Sequence, residues 1–310
     1  WKEANKRFDE YGNDKKVGTN GFYAMKAHWS EHPDRDQVWA DAEKARIGEE
    51  RFRREHECEF LIYDETLINS IHLADMEGTT PVETTGQVRW FKRPTPGNTY
   101  LTSLDPAMGT GGDYAAIQVF ELPSFEQVAE WHHNTTPMNH QVRILQSINK
   151  HIHDTIMEKD TSASPQIFYS MENNSIGEAA LLRVMDIGEE NIPGMFLSEP
   201  IRKGHRRKFR RGFNTTAKHK IDACTKFKEL VENDKMKLNS QLLISELKDF
   251  VASGMSYNAK AGQHDDLVSA CLLMTRMIKT LADFDPKIFE KWTDRTSELK
   301  PMPVFGSFYG

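Results

Sequence analysis

The period of apolar and polar positions changes several times along the 310 residues. After Pro33, Val38, Trp39 and Ala42 fall at helical spacing, and Asp34 or Asp36 can cap that helix. Gly48 interrupts it, and residues 49–57 form a second short helix. Residues 58–75 are mixed in character and connect two units; residues 79–86 are rich in turn formers. From Trp90 onward the period shortens. Strands are expected over residues 99–105, 114–122 and 127–132, joined by short connections as an antiparallel meander, with a Gly-rich turn over 106–112. Val142, Leu145, Ile148 and Ile152 then mark a helix over 139–157. A buried strand over 166–171, a helix over 176–185 and a short strand over 195–197 follow. Ile221, Cys224, Phe227 and Val231 line one face of a helix over 218–233. A short helix is expected over 242–253, and a long, mostly apolar, buried one over 265–281. Residues 286–310 are polar and Pro-rich, a tail. This order describes an α/β fold with a mixed sheet covered by helices on both faces.

Composition narrows the class. At 38% hydrophobic and 28% charged residues, the chain can bury a sizeable core. The longest apolar tract, residues 267–274, is broken by Ser269 and falls well short of the roughly 18–20 residues a membrane span needs. No membrane partner is therefore expected. Cys58, Cys224 and Cys271 lie far apart, which excludes a disulfide framework and a Cys-rich zinc site. A chain that starts at Trp1 without methionine is expected to be a fragment of a longer protein.

Charge is unevenly placed. The net charge is −6, yet residues 202–220 carry nine Lys and Arg and no acid: Arg202, Lys203, Arg206, Arg207, Lys208, Arg210, Arg211, Lys218 and Lys220. A dense basic block inside an otherwise acidic chain suits a phosphate backbone. The bland alternative is a solvated loop, but Phe209 and Phe213 sit within the block, and a fully solvated loop gains little from aromatics.

Three acidic sites fall where elements end or begin. Asp105 ends the first long strand, Glu172 ends the apolar strand IFYSM, and Asp265 and Asp266 open the last helix. Neighbouring strand ends and one helix N-terminus can bring these carboxylates to one edge of a sheet. The cluster would repel itself without cations, and all-oxygen ligands suit Mg²⁺ or Mn²⁺. Each acid also has a structural role open to it: turn chemistry for Asp105 before Pro106, an N-cap for Asp265 or Asp266. Glu172 has the weakest such alternative, since a carboxylate closing so apolar a strand needs a partner. Other motifs fail. Gly109-x-Gly111-Gly112 has Tyr114 where a dinucleotide loop needs its third glycine, no Walker A sequence exists, and His151 and His153 at i,i+2 face apart on a helix.

The segments SLDPAMGTGGDYAAIQVFE, FYSMENNSIG, TTAKHKIDACTKFKELVENDKMKL and GQHDDLVSACLL, in this order, resemble the large terminase subunit of tailed bacteriophages, its T4-like branch above all. The resemblance covers most of residues 17–282. It implies an RNase H/resolvase-like nuclease domain over 75–283. The end of an ATPase domain and its linker would occupy 1–74, without a Walker A loop, and a tail 284–310. It further implies a metal-dependent endonuclease cutting concatemeric double-stranded DNA as packaging starts and ends. Asp105, Glu172 and Asp266 match the catalytic acids, and Asp265 and Asp113 match further acids at the metal site. Asp105 with Glu172 would hold one of two ions, and Asp105 with Asp266 the other. ATP would be hydrolysed only by the full-length protein. Portal protein and small terminase subunit are implied partners, and the host cytoplasm, at the procapsid portal, the place of work. Departures are local: Pro106 follows the first acid, and the stretch before Glu172 is longer than in the T4 protein. The rival reading is a DNA-gripping, motor-coupling module whose cleavage is marginal in isolation; junction resolvases and transposases are a weaker alternative.

Overall fold

The structure, a computed structural model, describes residues 21, 25, 27–57, 65–199 and 211–284. The chain divides into two compact units, Trp1–Tyr63 and Asp64–Gly310.

In the first unit, helix α1 (Gln37–Ile47) is capped by Asp36, whose Oδ1 accepts from the Trp39 amide at 2.8 Å. Gly48, at φ +86°, turns the chain into α2 (Glu49–Glu55). Phe52 is fully buried against the Trp39 ring, 6.1 Å between centroids.

The second unit is built on a seven-stranded sheet in the order β1-β2-β5-β4-β3-β6-β7. The strands are β1 (Glu83–Thr85), β2 (Val88–Trp90), β3 (Thr99–Asp105), β4 (Ala115–Leu122), β5 (Glu126–His133), β6 (Gln166–Met171) and β7 (Met195–Phe196). β3, β4 and β5 form the expected antiparallel meander, while β6 joins β3 in parallel and β7 joins β6 in parallel. The β1–β2 hairpin was not expected from residues 79–86; its strands are three residues each, too short for alternation to show.

Every residue of β4 is buried, because helices cover both faces of the sheet. Adjacent side chains of β3 show the two faces. Thr102 Oγ1 bonds Asn149 Oδ1 of α4 (Met138–Lys159) at 2.8 Å, while Ser103 Oγ donates to the Ala270 carbonyl of α8 (Asp266–Phe284), also at 2.8 Å. Against α4 the core is aliphatic. Val142, Leu145, Ile148, Ile152 and Ile156 pack on Tyr100, Leu104, Ile117 and Tyr169, together with Val184 of α5 (Ser175–Ile187). Helix α6 (Ala217–Glu232) buries Cys224, Phe227 and Val231, as its spacing predicts, whereas Ile221 of that stripe is exposed.

Two segments depart from expectation. Residues 65–67, read as connector, belong to the second unit and pair within it: Thr66 bridges Val251 and the Leu67 amide bonds the Phe250 carbonyl at 3.1 Å; α3 (Ser70–Asp75) follows directly. The helix expected over 242–253 stops early. Helix α7 (Gln241–Asp249) gives way to a hairpin of β8 (Phe250–Ser253) and β9 (Ser256–Ala259), turned by Gly254 at φ +60°. No helix among the described residues is long and apolar enough to cross a membrane.

Candidate metal centre

Parallel pairing of β3 and β6 places their C-terminal ends side by side, Leu104 opposite Met171. Asp105 closes β3, and Glu172 follows β6 with its amide bonded to the Leu104 carbonyl at 3.1 Å. Burial, then the charge and contact of Glu172, then Asp266 and Asp265, push the Asp105 carboxyl well above the usual carboxylate range.

The Glu172 end is held firmly. It bridges Phe213, whose carbonyl accepts from the Asn173 amide at 2.7 Å. Asn174 works in two directions: its Nδ2 donates to Glu172 Oε2 at 3.0 Å, and its Oδ1 caps α5 through the Ile176 and Gly177 amides at 3.0 and 2.7 Å. The first turn of α5 also lies hard against the strand. A Cβ on Gly177 would sit 1.8 Å from the Glu172 carbonyl oxygen, so this position admits glycine alone without a shift of backbone.

Asp266 is the first residue of α8, one residue beyond the expected start at Asp265. Its Oδ2 accepts from the Tyr114 amide at 3.4 Å and lies 3.6 Å from His264 Nδ1. Burial, helped by Asp265 and Asp113 and opposed by the Tyr114 amide and His264, pushes its carboxyl up to about 6. Asp113 is exposed. The amides that an N-cap would take, those of Leu267 and Val268, donate instead to Glu246 Oε2 of α7, at 2.9 and 3.1 Å. The capping role open to Asp265 or Asp266 is thus filled from another helix.

Burial also pushes Glu246 up to about 9 and holds His132 down to about 4. A carboxyl raised in the fold carries a penalty that grows as pH climbs from its unfolded value, near 4.5, to its folded one, about 9. For His132 the penalty grows in the opposite direction, as pH falls below about 6.5, and is constant above it. In EDTA, the melting temperature is therefore expected to fall between pH 7 and pH 9, and Glu246→Gln to flatten that fall. Scanning calorimetry checks it; a melting temperature level across this range in the wild type would contradict the assignment.

A pocket beside the acid pair is lined by Asp105, Glu172, Lys220, Ser269 and Arg276, among others. Lys220, in the first turn of α6, donates to Asn258 Oδ1 at 2.9 Å and lies 3.8 Å from Asp265 Oδ2. Arg276 bonds Thr215 Oγ1 and the Asn214 carbonyl, both at 3.1 Å, ion-pairs with Glu199 and lies over the Phe213 ring, so it braces the wall. Lys218 is exposed on α6, and Arg211 is ion-paired with Glu189. Arg202, Lys203, Arg206, Arg207, Lys208 and Arg210 lie outside the described residues.

Among the described residues no three His, Cys, Asp or Glu side chains converge as a ready-made metal-binding group. The donor chemistry nevertheless fits a hard cation: a half-buried carboxyl pair, all oxygen, in the field of two further acids. Three contributors were not apparent from sequence, namely Asn174, Gly177 and Glu246. An Asn before a helix is a recognisable cap, so Asn174 carried a signal; Glu246 carried none.

A family model described as the terminase RNaseH-like domain matches residues 102–277. The chain belongs to this family. The match spans β3 to α8 and includes every acid at the sheet edge. Membership makes this a nuclease-type domain of a viral packaging terminase, with the mixed, helix-flanked sheet of the RNase H-like fold. Among solved structures, the large terminase nuclease from thermophilic phage G20c with bound magnesium superposes with a TM-score of 0.50. It is 16% identical, covering 68% of this chain and 97% of that one. The same nuclease with bound cobalt gives a TM-score of 0.50 at 16% identity and the same coverage. These likenesses show the shared terminase nuclease fold.

Proposed function

We propose that this chain is a metal-dependent DNA endonuclease of a viral packaging terminase. It cuts concatemeric double-stranded DNA when packaging starts and again when it ends, by two-metal phosphodiester hydrolysis. The observation that carries this reading is the half-buried Asp105–Glu172 pair at a sheet edge, with Asp265 and Asp266 adding charge from the start of α8. The related phage nuclease with magnesium or cobalt bound supports a divalent cation at such a site.

Asp105 and Glu172 would hold one Mg²⁺ or Mn²⁺, and Asp105 with Asp266 the other. Such ions, when bound, activate water and neutralise charge on the phosphate and the departing 3′ oxygen. Asn174 keeps the Glu172 carboxylate oriented toward the pocket from behind, and Lys220 offers its ammonium to a phosphate oxygen at the pocket wall. The basic block from Arg202 to Lys220 tracks the backbone without reading bases, giving sequence-tolerant cutting. Residues 1–74 are the end of an ATPase domain with its linker, ATP hydrolysis belongs to the full-length protein, and 284–310 is a tail. Portal protein and the small subunit are the partners, in the host cytoplasm at the procapsid.

The deciding experiment incubates the chain with supercoiled plasmid in Mg²⁺ or Mn²⁺, with and without EDTA. Nicking or linearisation that EDTA abolishes supports the reading. A second reading, a DNA-gripping and motor-coupling module with marginal cleavage on its own, draws on the absence of a converging three-donor group among the described residues. Tight DNA retention without cleavage in either metal would favour it.

Backbone binding makes a quantitative prediction. Each neutralised phosphate contributes about −0.9 to the slope of log affinity against log salt on duplex DNA. Replacing Arg206, Arg207 and Lys208 together by Ala is expected to flatten that slope by roughly two to three units. Affinity for all sequences should fall alike. Fluorescence anisotropy across a salt series measures it, and an unchanged slope would remove the block from the DNA path.

A further inference from the structure

Helix α8 carries Asp266 at its first position, where helices fray most readily because the leading amides lack intrahelical partners. A displacement of that turn carries the Asp266 carboxylate with it. In this protein the turn is tied down from a different helix. Glu246, on α7, is largely sheltered from solvent and accepts both the Leu267 and the Val268 amides on one oxygen, Oε2. Its other oxygen, Oε1, stands 3.7 Å from His132 Nε2, a buried nitrogen without a hydrogen-bond partner. The His132 ring stacks on Tyr114, centroids 4.1 Å apart at 17°, and the Tyr114 amide donates to Asp266 Oδ2. One carboxyl group thus reaches both supports of Asp266: the turn that carries it, and the ring stacked on the tyrosine whose amide bonds it.

We propose that Glu246 is a positioning residue of the metal centre: it caps α8 in trans, holds Asp266 at the sheet edge, and leaves Asp265 and Asp266 free of capping. Glu246 does not itself touch the metal or the substrate. The inference rests on the nuclease reading, since positioning matters only if Asp266 serves a cation.

The reach of the side chain, not its charge, is what this role demands. Glu246→Gln keeps an acceptor oxygen at the same reach. Glu246→Asp keeps the acid but withdraws it by one methylene from the two amides. Binding of Mn²⁺ is measured by titration calorimetry on the intact chain, below the melting temperature of every variant. Hydrogen exchange over residues 264–270 is measured in parallel. Glu246→Asp is expected to weaken Mn²⁺ by about 10–100-fold, the usual cost of removing an outer support of a ligand, and to speed exchange at Leu267 and Val268. Glu246→Gln is expected to bind close to wild type and keep the protection. Equal affinity in wild type and Glu246→Asp, or weaker binding by Gln than by Asp, would overturn the positioning role while leaving the nuclease reading in place. A wild-type chain that bound no Mn²⁺ would overturn both.

Discussion

Asp105→Ala is expected to cut metal-dependent plasmid cleavage by on the order of 10²–10³-fold or more, a loss typical of removing a group that stabilises transition-state charge. The fold should survive. The Asp105 carboxyl is desolvated and feels the charge of Glu172, Asp266 and Asp265, so in the metal-free protein it is a source of repulsion and desolvation cost. Deleting it relieves both and leaves a space of only a few atoms. The melting temperature in EDTA should therefore hold or rise while activity disappears. Glu172→Ala and Asp266→Ala should behave alike in activity. Asp265→Ala should lose less, because its carboxylate is 3.8 Å from Lys220, which already engages it, and it is not in the proposed ligand set. Plasmid nicking and thermal melts on the four variants decide the matter. Equal losses at Asp265 and Asp266 would refute the division between them, and a collapsed Asp105→Ala protein would refute the account of the pair.

The largest effect on stability is expected from Phe213→Ala. Phe213 is almost fully buried, its amide donates to the Met171 carbonyl at 3.1 Å, and the Arg276 guanidinium lies 5.1 Å from its ring centre. Truncating a buried Phe to Ala costs about 3–5 kcal/mol, from lost transfer energy and the cavity left behind. The backbone bonds survive the substitution, but the floor beneath Glu172 opens. Cleavage should therefore fall with stability, whereas the salt slope of DNA binding should change little. Urea denaturation measures the first effect; an unmoved midpoint would mean that the ring is not the anchor it is taken to be.

Phe213 also shows how far the residues alone could be read. Its aromatic character within a basic run argued against a purely solvated loop, and the structure buries it against the end of β6. The meander of β3, β4 and β5 was legible because each strand is seven or eight residues long and closed by turn formers. Asp105, Glu172 and the start of α8 were legible for the same reason, as acids at the ends of strongly patterned elements. The β8–β9 hairpin was not. Leu243, Leu247, Phe250 and Val251 continue helical spacing through Asp249, and pairing with residues 65–67, nearly two hundred positions away, overrides it. Glu246 was invisible for a related reason: its partners lie on another helix more than twenty residues downstream, and no local pattern records them.

The close approach of Gly177 to the Glu172 carbonyl has a consequence for how this domain can vary. Methyl-sized additions are tolerated at most solvent-facing helix positions, yet here even alanine must push helix and strand apart. In a library of random variants, position 177 should therefore score with the acids themselves although its residue has no side chain to contribute. Any descendant of this chain that lost that glycine would have to rebuild the junction between β6 and α5 before it could cut again.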